Sequence, residues 1–208
     1  MSVLCFVKKM LLGRIMCEDI IFFCIFARLI CRIMFDFIKK YALKKHLATN
    51  TVERDRQVVS LRNAKNIGMI CEITDEDSYK DVFAVFSKLQ TISKVQMVGY
   101  IDENAVPFYC LEQLAADYFC RKNLNWYGKP DMVQVDDFVN TEFDILIDFT
   151  KSSLAPIHYI LTLTRASFVT GGNPSNGEFY DLLIEGDNLS NKKLLENIYV
   201  YTQKLKGE

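Results

Sequence analysis

The chain has 208 residues, half of them apolar and 12% aromatic, with 25 basic against 26 acidic side chains. That length suffices for one full hydrophobic core with an appendage, and 9 glycines and 4 prolines, with no internal repeat, exclude collagen-like, solenoid and disordered chains. The near-neutral total conceals an asymmetry, because residues 1–65 carry a net +8 and residues 66–208 a net −9.

The basic arm is also rich in Phe, Ile and Leu, a mixture that favours an anionic lipid surface over a nucleic acid. Its longest uncharged apolar run, residues 20–27, has eight residues where a membrane span needs about 20. A secretory signal is disfavoured too, since Arg14 and two acids break the apolar core and no small-residue cleavage site follows. Residues 1–33 read as an extension, and the composition break at Met34 suggests that methionine as the native start. Residues 34–47 then form a short basic amphipathic helix, with Phe35, Ile38, Leu43 and Leu47 set among paired lysines. Its expected contact is a protein partner or an anionic membrane surface, with no nucleic acid. Residues 49–55 read as a polar linker.

Seven cysteines, none in a Cys-x-x-Cys pair, and two distant histidines give no metal-site spacing. The odd count, with four cysteines inside the arm, makes a poor disulfide framework, so a reducing, cytoplasmic compartment is expected, peripheral to the inner face of the membrane. No metal and no cofactor is expected.

From Asn66 onward, strands and helices alternate, as in a mainly parallel sheet covered on both faces. Residues 66–73 suit a buried strand, and Thr74 is the expected N-cap of a helix over 79–89 whose Tyr79, Val82, Phe83, Phe86 and Leu89 share one face. A second strand at 94–102 precedes a helix at 107–116 with Pro107 in its first turn. Residues 117–130 are ambiguous, either a continued helix or a short strand at 118–124, ended by Gly128 and Pro130. A short helix at 135–141, a strand at 143–149 and a helix at 152–166 opened by Ser152, Ser153 and Pro156 come next. Strands at 168–170 and 179–184 and a closing helix at 189–205, with Leu194, Leu195, Ile198 and Tyr201 facing inward, complete a single three-layer α/β domain. It is Rossmann-like or flavodoxin-like, with about five strands.

Ligands of such sheets bind at the carboxyl ends of the strands, which directs attention to residues 72–77, 102–104, 150–153 and 171–177. The first turn is acidic and lacks a GxGxxG pattern, and Thr170-Gly-Gly-Asn-Pro-Ser-Asn-Gly177 lacks the closing Gly-Lys-Ser/Thr of a phosphate loop. It reads as a turn or a wide, hairpin-like loop. The better crevice candidates are Asp102, Asp148, Lys151, Ser152 and Ser153, which place carboxylates, an amine and hydroxyls at strand ends and a helix start. His158 has no GxSxG elbow to serve and reads as a partly buried, hydrogen-bonded residue. Trp126, Tyr127 and Lys129, in a loop with Gly and Pro, suit a partner contact or a packed lid.

Arg62-Asn-Ala-Lys-Asn-Ile-Gly68, Leu124-Asn-Trp-Tyr-Gly-Lys-Pro130 and Phe143-Asp-Ile-Leu-Ile-Asp-Phe149 resemble a family of small Bacteroidota proteins known only as a domain of unknown function. The resemblance covers about residues 34–206 and implies no activity. More distantly, Asp144-Ile-Leu-Ile-Asp148 and Arg165-Ala-Ser-Phe-Val-Thr-Gly171 are similar to the amino-terminal half of heptosyltransferase-like glycosyltransferases, whose nucleotide-sugar-binding half has no counterpart here. Two function classes follow. The first is a cytoplasmic binding or adaptor protein without a catalytic motif. The alternative is a small-ligand-binding protein or an enzyme acting on a phosphorylated or nucleotide-sugar substrate at the strand-end crevice.

Overall fold

The computed structural model describes residues 17–50, 53–111, 113–186 and 189–207. The expectations for residues 1–16 lie outside the described residues. The chain divides between Ala42 and Leu43 into two units.

Helix α1, Cys17–Asn50, runs through Met34 without a break, so the basic helix read at 34–47 is one stretch of a longer element. Alpha-helical geometry brings Phe26, Ile30, Ile33, Phe37 and Tyr41 to one side and Arg28, Arg32 and Lys39 to the other. All five apolar side chains are about half exposed or more. No helix among the described residues is long and apolar enough to cross a membrane.

In the second unit the run that reads as a buried strand pairs on both sides. Strands β1 (Asn66–Glu72), β2 (Lys94–Ile101), β3 (Ala116–Cys120), β4 (Ile145–Asp148), β5 (Phe168–Gly171) and β6 (Leu182–Leu183) form one sheet in the order β3-β2-β1-β4-β5-β6. Every pairing is parallel. This is the Rossmann-like order, which decides between the two fold types expected, and its direction of winding reverses between β1 and β4.

Alternation explains why β1 is continuously apolar. Ile67, Met69 and Cys71 face one layer and Ile70 the other. The first layer holds α2 (Glu76–Gln90) and α5 (Asn191–Lys206), which bury Phe86, Leu89, Leu194, Leu195 and Ile198. The second holds α3 (Val133–Asn140) and α4 (Ala155–Leu163), with Phe138, Ile157 and Ile160 against Leu146 and Val169. Each fully buried side chain of this size adds about 1.5–3 kcal/mol to folding.

Several local expectations are corrected. The N-cap of α2 is Asp75, not Thr74; its carboxylate accepts from Ser78 N at 2.7 Å while Ser78 Oγ accepts from Asp75 N, a reciprocal capping box. The described residues of 107–116 form no helix. Phe108, Leu111 and Leu114, spaced as a helical stripe, are 90%, 63% and 108% exposed, so the stripe has no surface to cover. The segment ends instead in the sheet, where Met97 N donates to Ala115 O and Ala116 opens β3, a strand beyond the five expected. Helix α4 starts at Ala155 behind Leu154, leaving Ser152 and Ser153 outside it. In α5 the inward position read for Tyr201 belongs to Thr202, whose hydroxyl accepts from Leu61 N, while Tyr201 is exposed. The residues 170–177 loop is no hairpin, because β5 and β6 are parallel; it leads into a 3-10 turn, Pro174–Phe179. Nor is Arg54 part of a loose linker: it pairs with Asp181 at 3.0 Å, the two side chains 8% and 11% exposed, and also donates to Ala166 O.

Candidate functional site

The segments following β4 and β5 meet the first turn of α5 at the carboxyl edge of the sheet, on the α2/α5 side. Between them lies a cavity of about 370 Å³, lined by Thr150, Lys151, Gly172, Asn173, Gly186, Ser190 and Asn191 among others. Two of the stretches singled out in the sequence, 150–153 and 171–177, therefore converge, although they are separated by β5 and the whole of α4.

Pro174 begins the 3-10 turn and Asn173 caps it, its Oδ1 accepting from Ser175 N at 3.0 Å. That bond settles the orientation of the amide, because only oxygen can accept. Nδ2 is thereby turned the other way, and it is buried without an acceptor among the described residues. Across the cavity, Ser190 Oγ accepts from Lys193 N at 3.3 Å and caps α5. The N–H groups of Asn191 and Lys192 remain the outward donors of the first turn. Lys151 is exposed at the rim. Its charge reaches Asp75, whose carboxyl is held below the usual range chiefly by the Ser78 N–H, with Thr74, the Asp77 backbone and Lys151 adding to it.

Asp148 belongs to a different environment. By strand alternation it shares the face of Leu146, so it points into the α3/α4 layer and does not line the cavity. It is fully buried and accepts from Thr150 N at 2.8 Å, Asn176 Nδ2 at 3.1 Å and Tyr180 Oη at 2.5 Å. Burial raises the Asp148 carboxyl above its ordinary range, and these hydrogen bonds oppose the rise. Tyr180 is raised as well, by burial first and by Asp148 second, so its hydroxyl stays a donor. Gly171 permits this arrangement: a Cβ there would meet the Tyr180 ring at 2.5 Å.

The network continues to His158, whose Nε2 lies 3.0 Å from Asn176 Oδ1 and 2.8 Å from Ser153 Oγ. Asn176 uses Nδ2 on Asp148 and Thr150, so its Oδ1 accepts and His158 Nε2 carries the proton. A serine nucleophile needs that nitrogen as its base. Ser153 and His158 therefore form a structural bridge in this geometry. Burial also pushes the Cys110 thiol up to about 11 and raises Cys71, which removes both as thiolate nucleophiles at neutral pH.

The remaining sequence candidates lie elsewhere. Ser152 N donates to Glu72 Oε2 at 3.1 Å, bridging the ends of β1 and β4. Asp102, at the end of β2, is held by Arg121 through two bonds of 2.7 Å and by Tyr100 Oη at 2.9 Å. The Arg121 guanidinium keeps its carboxyl low. In the Trp126 loop, Asn125 Oδ1 accepts from Tyr127 N and Lys129 N, and Gly128 takes a positive φ of 94°, so the Asn-Trp-Tyr-Gly-Lys string is a tight turn. Tyr127 packs on His46 and Lys129 lies over Tyr159, leaving Trp126 exposed at the tip.

Sequence reasoning missed Asn173, Asn176 and Tyr180. An Asn-Pro pair opening a turn was the visible signal for the first, and Asn176 lies in the 171–177 stretch singled out at a strand end; nothing local marked Tyr180. Among the described residues no group of three His, Cys, Asp or Glu side chains is placed to hold a metal ion. The model of a family described as of unknown function, DUF6913, matches residues 36–205. No curated protein matches the chain.

Proposed function

We propose that this chain, which belongs to the DUF6913 family of unknown function, is a small-ligand-binding protein whose ligand occupies the cavity at the carboxyl ends of β4 and β5. One observation carries the reading: Lys151 and the loop of residues 171–177, far apart in sequence, line one open cavity of about 370 Å³ at the sheet edge where doubly wound folds bind ligands. Among the described residues the surrounding polar groups give no nucleophile and base in working geometry, so the reading is binding rather than catalysis.

A thermal-shift panel on the full chain, with nucleotides, nucleotide sugars, sugar phosphates, neutral sugars and carboxylic acids, tests it. A ligand at 100 times its Kd adds about 2.7 kcal/mol, a rise of about 5–10 °C in Tm for a chain of this size. Gly186→Phe, at an exposed cavity wall, abolishes the shift if the ligand sits there. A panel with no hit, or a hit indifferent to Gly186→Phe, overturns the reading.

A second reading concerns α1. The exposed apolar side of Phe26, Ile30, Ile33, Phe37 and Tyr41, opposite Arg28, Arg32 and Lys39, supports peripheral attachment to an anionic membrane, in keeping with a cytoplasmic protein at the inner leaflet. Flotation with phosphatidylcholine/phosphatidylserine vesicles recovers the protein, and phosphatidylcholine alone or Ile33→Glu with Phe37→Glu does not. Equal recovery in all arms removes this reading.

A further inference from the structure

Where α2 and α5 lie side by side, a groove runs between them on the side away from the sheet. Its first part, of about 460 Å³, is lined by Asp81, Ala84, Lys88, Lys192 and Leu195 among others. A second part, of about 290 Å³, continues it past Leu61, Lys88, Ile92, Glu196 and Val200. Leu61 and Leu195 are buried and form the floor, while Ile92, Tyr199 and Val200 stand between 36% and 45% exposed at its edges. An apolar hollow bounded by protruding aliphatic side chains is a shape that helix-on-helix packing fills.

The charges on this groove say what fills it. Both helices start at the carboxyl edge of the sheet and run the same way, because each follows a strand of an all-parallel sheet. Their charges run in opposite order. From its amino end, α2 presents Asp81 and then Lys88 to the groove, seven positions apart and so on one side of the helix; α5 presents Lys192 and then Glu196, four positions apart. All four are exposed, and none of them is in an ion pair among the described residues. Lys80, next to Asp81, pairs within its own helix instead, with Glu76 and Asp77. A partner of uniform charge, such as the basic α1 or an anionic membrane, meets as much repulsion as attraction on this face. A copy of the same face does not. With a two-fold axis along the groove, α2 of one copy lies over α5 of the other, so that Asp81 meets Lys192 and Lys88 meets Glu196, each pair formed twice.

We propose that the α2/α5 face is the interface of a two-fold symmetric dimer of this chain, with Ile92, Tyr199 and Val200 packed across the groove and the pairs Asp81–Lys192 and Lys88–Glu196 formed between copies. The dimer stands independently of the ligand-binding reading.

Sedimentation equilibrium of the full chain, from about 1 to 200 μM, tests it. The expected mass at the upper end is twice the chain's 24.1 kDa. Ile92→Glu with Val200→Glu changes two exposed positions; it is expected to keep the circular dichroism of the unmodified chain and to raise the dimer dissociation constant at least about 100-fold. Lys88→Glu and Glu196→Lys each place like charges opposite one another and raise it about tenfold or more, while the two together restore opposite charges and return it to within about threefold of the original. Because α1 has its own exposed apolar side, Ile33→Glu with Phe37→Glu is the control, and it leaves the dissociation constant unchanged. A monomer at every concentration, a dimer that survives Ile92→Glu with Val200→Glu, or a dimer lost with the α1 variant overturns the proposal. So does a combined charge reversal that fails to restore association.

Discussion

Asp148 and Asp102 each sit at the carboxyl end of a strand in one sheet, each accepts a tyrosine hydroxyl, and each stands out in the sequence as a crevice carboxylate. Their surroundings have opposite effects. Asp102 is exposed and charge-paired with Arg121, which lowers its pKa; Asp148 is enclosed among neutral donors, and desolvation raises its pKa. A carboxylate ending a strand is thus a surface ion pair at the exposed end of β2 and a buried organising centre at β4, although both strands are flanked on both sides. Burial and the charge of the partners, not residue type, separate the two.

Asp181 extends the contrast, since it is nearly buried but faces a cation. Asp181→Ala strands the Arg54 guanidinium and leaves Val169 N without its acceptor. A loss of about 3–5 kcal/mol is expected in urea unfolding; a loss under 1 kcal/mol would show that solvent reaches Arg54. Asp148→Ala comes next, at about 2–4 kcal/mol, because three buried donors lose one acceptor.

The same pair predicts opposite pH dependences. For Asp148 the folded carboxyl is raised above its unfolded value, so its contribution is fully present below the unfolded pKa of about 3.9 and is lost as pH rises through the folded pKa. For Asp102 the folded value is depressed, so its contribution is present above the unfolded pKa and is lost as pH falls through the folded one. Unfolding curves of Asp148→Asn and Asp102→Asn against pH separate the two signs; curves bending the same way would break the comparison. The smallest effect is at Asp102 itself. Asp102→Ala costs under about 1 kcal/mol, since both partners of its ion pair are about half exposed.

The alternation of period-two and period-3.6 apolar patterns made the α/β class legible, because a strand buried on both faces and a helix buried on one face leave those marks locally. The reading failed at residues 107–116, where a proline that suits a first helical turn reads as a helix start, but Phe108, Leu111 and Leu114 are exposed and find nothing to bury them. Lys151 was legible as a crevice residue because it follows a strand. Asn173 was hidden in what reads as a turn, and its free amide exists only because Ser175 engages its oxygen.

The sequence by itself determined most of the strands and helices outside residues 107–130, the division into a basic apolar arm and an acidic body, and the absence of a glycine-rich phosphate loop after β1. Each of these is written in neighbouring residues. The strand order, the face to which Asp148 turns, and the meeting of residues 150–151, 172–173 and 190–191 around one cavity were decided only by the tertiary structure. Those features depend on how separate segments pack and cross over one sheet, and no local pattern of polarity encodes that pairing.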